Sequence, residues 1–323
     1  MDSRFKLKFL TWNIYFGADL TPLVTATPEQ IPLVVTQAFR QFLATNFPLR
    51  AKAIAKAIAS EKPDLIGLQE AVQWKLIIPN FRTVTYDFID LLLEALEERG
   101  LEYTVAARNL NAQAALPDSL GNVVQFLDRD AILIRNDLKR KIISKQEENF
   151  ETNLTVPIGG QDFTVTRGWS SIDMKMDGQI VRIVNTHLEP ASEAIRNAQA
   201  NEIIEGPANT RLPVVILGDL NSIPNSAVYQ LFVNAGFQDA WAQAGKGTGF
   251  TCCQSADLLN SNSTLNERID YIFFKNGWKA RKAELIGESQ KDRTNTGLWP
   301  SDHAGVLADL RLENVQDNGE STC

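Results

Sequence analysis

The stretch VVIL at residues 214–217 sets three β-branched residues and a leucine side by side, then stops on Gly218 and Asp219. An apolar run this short suits a buried strand better than the stripe of an amphipathic helix. Comparable runs recur along the chain: FLTWN, LIGLQE, DAILIR, IVNTHL, RIDYIFF and AGVLADLRL. Such a chain must bury sheets, and the helical patterns between the runs supply the cover.

The start alternates Phe5, Leu7 and Phe9 with Lys6 and Lys8, a strand with one buried face. A loop and a helix over residues 30–46 follow. PLRAKAIAKAIASE predicts a helix with Leu49, Ala53, Ile54, Ala57 and Ile58 on its apolar stripe and Arg50, Lys52 and Lys56 turned away. A helix is expected over residues 86–99, closed by Gly100. RNLNAQAALPDSLGN reads as a long surface loop ahead of two strands, NVVQF and DAILIR. FTVTRGWSSIDMKM and QIVRIVNTHL form strands around an Asp177-Gly178 hairpin turn. Helices are expected over residues 191–205 and 226–235, and residues 243–266 make a Gly/Ser/Asn-rich loop of the kind that borders sites. The tail ENVQDNGESTC is polar and expected to fray. Strands outnumber helices and hairpins join most of them, which implies largely antiparallel sheets.

With 44% hydrophobic and 22% charged residues in 323, the chain has ample material for a core. A net charge of -7 argues against a broad basic face, so a phosphoester ligand would need a locally recruited cation. Cys252, Cys253 and Cys323 suggest no disulfide framework, and the first two read as structural or incidental. No apolar run reaches the ~18 residues of a membrane span. No export signal opens the chain, which fits a cytoplasmic protein or a secreted one whose leader is absent here; no protein partner is evident.

Functional groups collect where apolar runs end: Asn13, Glu70, His187, Asp219, Asn221, Asp270, Asp302 and His303. Both histidines of the chain fall in this set. Singly, each has an ordinary explanation. The asparagines suit turns, and Asp270 could pair with Arg268. Together they form a set of hard oxygen donors suited to Mg²⁺ or Mn²⁺, with Ca²⁺ as a third option, and ill suited to zinc. A histidine in reach of an aspartate can take a proton from water. Asp219 and Asn221, two apart in an extended segment, would project to one side. The chemistry implied is metal-assisted hydrolysis of a phosphoester.

TWNI, LIGLQE, NTHL, GDLNSIP, RIDYIF and SDH stand in an order and spacing that resembles the endonuclease/exonuclease/phosphatase superfamily, the deoxyribonuclease I-like fold. The resemblance runs from Asn13 to His303. It implies one domain over residues 1–312, a tail over 313–323, and an α/β (α+β) fold: a four-layered α/β/β/α sandwich of two mixed, largely antiparallel sheets flanked by helices. It further implies Glu70 as the principal metal ligand with Asn13 and Asp302 beside it, and His303 oriented by Asp270 as the base. His187 would stabilise the phosphate or assist the leaving group. Asp219 and Asn221 would position nucleophile and scissile phosphate. Arg129, in LDRDAILIR, and Thr251, in GFTCCQ, match places where a phosphate contact is found. The implied substrate is a nucleic acid or other phosphodiester; a phospholipid, such as sphingomyelin, or an inositol or small-molecule phosphoester is the alternative. A non-catalytic binding module is a third reading. Two features depart from the pattern: residues 18–48 form an insert, and no aromatic hairpin for membrane entry is evident.

Overall fold

The computed structural model describes residues 3–313, so nearly all of the tail expected to fray lies outside the described residues. Two sheets dominate. The first orders its strands Trp278–Ile286, Gly305–Glu313, Ser3–Asn13, Leu65–Gln69, Val123–Arg135, Gln73–Ile78 and Arg82–Asp87, with Tyr103–Pro117 also paired to Val123–Arg135. The second runs Gln238–Asp239, Asp270–Lys275, Val214–Asp219, Gln179–His187, Gly168–Met176 and Ile142–Asn149. Most neighbours are antiparallel, and parallel pairs join Ser3–Asn13 to Leu65–Gln69 and Gln179–His187 to Val214–Asp219. Both sheets are therefore mixed.

Three apolar cores separate four layers. Phe9, Leu65, Ile132, Ile183, Leu217 and Ile272 fill the space between the sheets. The helices Ile31–Ala44, Phe47–Glu61 and Phe88–Glu97 cover the first sheet through Phe42, Ile54, Ile58 and Leu92. Glu193–Glu205 and Ala227–Asn234 cover the second through Ile203 and Phe232. This is the expected α/β/β/α sandwich. Val214–Asp219 is buried along its whole length because it lies inside one sheet with a core on each face.

A polar key crosses the seam between the sheets. Asn185 Nδ2 donates to Leu68 O and Ala131 O, while its Oδ1 accepts from Gln69 Nε2. Gly67 leaves room for it, since a β-carbon there would collide with Asn185 Oδ1 and come within 2.8 Å of Leu217 Cβ. Gly67→Ala is therefore expected to destabilise the fold by about 1–3 kcal/mol, the range for overpacking a core. A urea-denaturation midpoint unchanged from the parent would contradict this.

The structure differs from the sequence reading in five places. Residues 103–117 form a strand rather than a surface loop. Its alternation is hidden by register shifts between Val105 and Ala107 and between Leu110 and Gln113, and by the burial of Asn109 and Asn111. NVVQF and DAILIR are one strand, continuous through the buried charges of Asp128, Arg129 and Asp130. FTVTRGWSS breaks at Thr166–Arg167: Gln161–Val165 pairs only with Leu154–Ile158, and Gly168–Met176 restarts in the second sheet. Gln73–Ile78 and Arg82–Asp87 form a hairpin, so Tyr86 and Asp87 end a strand and the expected helix starts only at Phe88. Arg50 points inward and is fully buried, instead of lying on the polar face of its helix.

Candidate active site

Strand register assembles the site. In the second sheet His187 pairs with Asp219, and Asp219 with Asp270, so three functional groups end three neighbouring strands in one row. In the first sheet Asn13 pairs with Gln69, which puts Glu70 one residue beyond the row. Asp302 and His303 precede the strand Gly305–Glu313 and bring the final pair to the same rim. All eight residues proposed from the strand ends belong to this rim.

The contacts cross from sheet to sheet. His303 Nδ1 lies 2.9 Å from Asp270 Oδ2. Asp219 Oδ2 is 3.5 Å from His187 Nε2 and 3.9 Å from His303 Nε2. Asn13 Nδ2 donates to Glu70 Oε1 at 3.2 Å and to Asp219 Oδ2 at 3.1 Å, tying the two halves together. Phe16 N donates to Glu70 Oε2, and Asn13 Oδ1 accepts from Tyr15 N. Tyr15, Glu70 and Asn221 all take positive φ, at 56°, 56° and 48°. Three non-glycine residues in this region around one rim is a concentration of backbone strain of the kind found at functional sites.

Asn221 corrects one expectation. The strand ends at Asp219, and Asn221 sits in a left-handed turn rather than two residues along an extended segment. Its amide N–H donates to Asp219 Oδ1 and its Nδ2 to Leu188 O. Asn221 therefore braces the carboxylate, and the two side chains do not project as a parallel pair.

The electrostatics are those of crowded buried acids. Burial pushes Glu70 up to about 8, with the charges of Asp302 and Asp128 adding to it. Burial also raises Asp219 to about 6, reinforced by Asp270, and raises Asp302. His187 is pushed well below the ordinary imidazole value by burial, then by the positive charges of Arg167 and His303. In His303 burial acts in the same downward sense, but Asp270, Asp302 and Asp219 outweigh it and carry the ring well above that value. Like-charged carboxylates held this close and dry are stabilised by a cation. The donor set is hard oxygen with imidazole nitrogen, which fits the expected divalent ion. Ligand atoms of Asp219, Asp270 and His303 lie within 4.8 Å of one another; among the described residues the other such triple is Cys252, Cys253 and His303. Glu70 belongs to neither, although its carboxylate shares Asn13 with Asp219.

Neither residue proposed as a phosphate contact is free to act as one. Arg129 is buried, donating from Nε to Ala71 O, from Nη2 to Val72 O and to both carboxylate oxygens of Asp87. Thr251 is fully buried, and its Oγ1 accepts from Ile269 N and Asp270 N. Both position neighbours of the site. Arg268 pairs with Asp239 and leaves Asp270 to His303. Cys252 and Cys253 are bonded to each other, and Cys252 bridges to the backbone of Glu267 and His303.

Sequence reasoning missed three contributors. Ser301 Oγ donates to Asn13 O and accepts from His303 N. Arg50 reaches Ile14 O, Tyr15 O, Thr45 O and Pro300 O behind the rim. Arg167 is 9% exposed, lies 3.5 Å from Glu189 Oε2, and its Nε and Nη1 have no hydrogen-bond partner. Arg167 carried one available signal: it interrupts an otherwise strand-like run just where the chain changes sheets.

The chain is similar to several known proteins. The CCR4-Not complex 3'-5'-exoribonuclease subunit Ccr4 of Candida albicans is 24% identical over 85% of this chain and 39% of its own length. Tyrosyl-DNA phosphodiesterase 2 of Mus musculus is 23% identical over 91% of this chain and 72% of its own. The chain spans 39% and 59% of the lengths of two Ccr4 subunits that it matches. An endonuclease/exonuclease/phosphatase family protein from Bacteroides thetaiotaomicron superposes with a TM-score of 0.62 at 19% identity, over 96% of this chain and 99% of that one. The mannosyl-6-phosphatase of the same organism gives 0.57 at 19%, over 94% and 99%. The family's own sequence pattern spans residues 10–303, from inside the first strand to the second histidine of the rim, and the chain belongs to the Endonuclease/Exonuclease/phosphatase family.

Proposed function

We propose that the protein is a divalent-metal-dependent phosphoester hydrolase that acts on phosphodiesters by attack of water. The observation that carries this reading is the convergence of both histidines on one oxygen of Asp219, with His303 held from behind by Asp270. The relatives' described activities on RNA, on tyrosyl-DNA and on a phosphorylated mannose support phosphoester chemistry at large.

Asp270 holds the His303 ring so that Nε2 faces the space beside Asp219, where it accepts a proton from water. Asp219, braced by Asn221 N, orients that water. His187, neutral through burial, offers a hydrogen bond to a phosphate oxygen without adding a charge. Glu70, Asn13 and Asp302 would hold the metal, with Asp219 close by. When bound, a divalent ion neutralises phosphate charge and supports the leaving oxygen. A phosphodiester of a nucleic acid and a small or lipid phosphodiester are both compatible with this rim.

Purified protein with Mg²⁺ or Mn²⁺ is expected to hydrolyse bis-p-nitrophenyl phosphate, EDTA to abolish the reaction, and re-addition of the ion to restore it. Glu70→Ala is the blank. Turnover that survives EDTA, or that is equal in the Glu70→Ala protein, rejects the assignment.

A further inference from the structure

Beside the rim lies a cavity of about 470 Å³ that the hydrolytic chemistry does not use. Its volume falls within the range of small-molecule sites. Three parts of the fold build it. Leu20, Leu23 and Val35 come from the inserted segment, Trp74 and Phe126 from the first sheet, and Val156, Ile158 and Phe163 from the two-stranded hairpin. The insert and the hairpin thus form walls rather than padding.

Charge is confined to one end. Asp128, Arg167 and Glu189 line the cavity there, and the other polar side chains in its wall are Thr21 and Thr25. That end adjoins the catalytic groups. Phe16, also in the wall, donates its N–H to Glu70. Asp128 and Glu70 feel each other's charge, as do Arg167 and His187. Glu189 stands two residues after His187. Arg167 is 3.5 Å from Glu189 Oε2, its charge is felt by Asp128, and its Nη1 is unpartnered, a buried donor at the junction of apolar cavity and rim.

Resting on the hydrolase reading above, we propose that the substrate is a phosphoester carrying a hydrocarbon chain, with the chain in this cavity and a phosphate or adjacent oxygen within reach of Arg167. Volume, apolar lining and the single charged end together select this occupant. A nucleobase would fit by size and could stack on the aromatic rings, but its in-plane donors and acceptors would lie against apolar walls and go unsatisfied. Even the indole N–H of Trp74 is taken up by Phe16 O, at 2.9 Å. The chain is drawn inside the protein, so no aromatic hairpin for membrane entry is required.

The test compares methyl, butyl and octyl phosphate, each below its micelle concentration, for equilibrium binding to the full chain by calorimetry. The matching 4-nitrophenyl alkyl phosphodiesters are assayed for turnover with Mg²⁺. At about fourfold per buried methylene, octyl phosphate is expected to bind at least ~100-fold more tightly than methyl phosphate. Val156→Glu or Leu23→Glu is expected to erase that preference while turnover of the methyl ester stays within about twofold. Flat affinities, or a preference retained in both variants, overturn the proposal even if the methyl ester is hydrolysed. Chain-length-dependent binding without turnover of any ester upholds the cavity and rejects the hydrolase reading alone.

Discussion

His303→Ala is expected to lose Mg²⁺-dependent turnover of bis-p-nitrophenyl phosphate by a factor of ~10² or more, the usual contribution of a positioned general base. The loss should be chemical rather than structural, because the backbone carbonyl that receives Trp12 Nε1 survives the substitution. Asp270→Asn separates base strength from mere presence of the ring. Asp270 is the leading charge that raises His303, so its removal lowers the imidazole pKa. The base must be neutral to act. The acidic limb of kcat/KM should therefore move to lower pH in Asp270→Asn, while the plateau falls because the ring has lost its orienting partner. The same linkage sets a sign for stability. A raised imidazole pKa contributes stability that is fully present below the ordinary value of about 6.5 and is lost as pH rises through the folded value. Asp270→Asn should thus cost most stability under acidic conditions. Unchanged turnover in His303→Ala, or an acidic limb unmoved in Asp270→Asn, would remove His303 from the role of base.

Arg50→Met should lower stability by about 3–5 kcal/mol, because several buried carbonyls lose their donor at about 1–3 kcal/mol each. The arginine is fully buried and lies 4.9 Å over the Phe47 ring. Its guanidinium donates to four backbone carbonyls from three separate segments, those of Ile14, Tyr15, Thr45 and Pro300. Methionine fills much of the volume but leaves those carbonyls unpaired, each at the cost of a desolvated polar group. Burial holds the Arg50 pKa down at about 10, still ionised at neutral pH, and its charge lies among those felt by Asp302. The variant should therefore also weaken the alignment of the Pro300–His303 segment. Denaturant titration followed by circular dichroism measures the stability, and a shift smaller than about 1 kcal/mol would show that the network is dispensable.

The candidate rim was legible because strand ends in a layered fold are rigid, and because a chain with two histidines placed both beside acids at such ends. The strands that escaped notice share a physical cause. In residues 103–117 two register shifts and two buried asparagines break the alternation on which strand recognition rests. In Val123–Arg135 the charges of Asp128 and Arg129 interrupt two apolar runs, yet Asp130 and Asp128 accept from Asn109 and Asn111, and Arg129 is spent on Asp87. Local pattern cannot reveal a polar residue whose partner is seventeen or more positions away. Arg50 failed for the same reason: helical periodicity assigns a cation to water, and only the tertiary fold supplies carbonyls for it. Arg129 and Thr251 occupied plausible positions, but the direction in which a side chain points depends on neighbours that spacing does not encode.

The bond from Asp270 to His303 and the bridge from Asn13 to Asp219 both run between layers, and Asn185 joins the same layers a short way beneath. No single sheet owns the proposed site. Its dimensions are those of a joint, so the solvent-facing positions of an outer helix can vary while the rim keeps its shape, whereas an inward residue such as Arg50 cannot. A pair of amides in the dry interior, Asn185 with Gln69, acts as the dowel that keeps the two slabs from sliding.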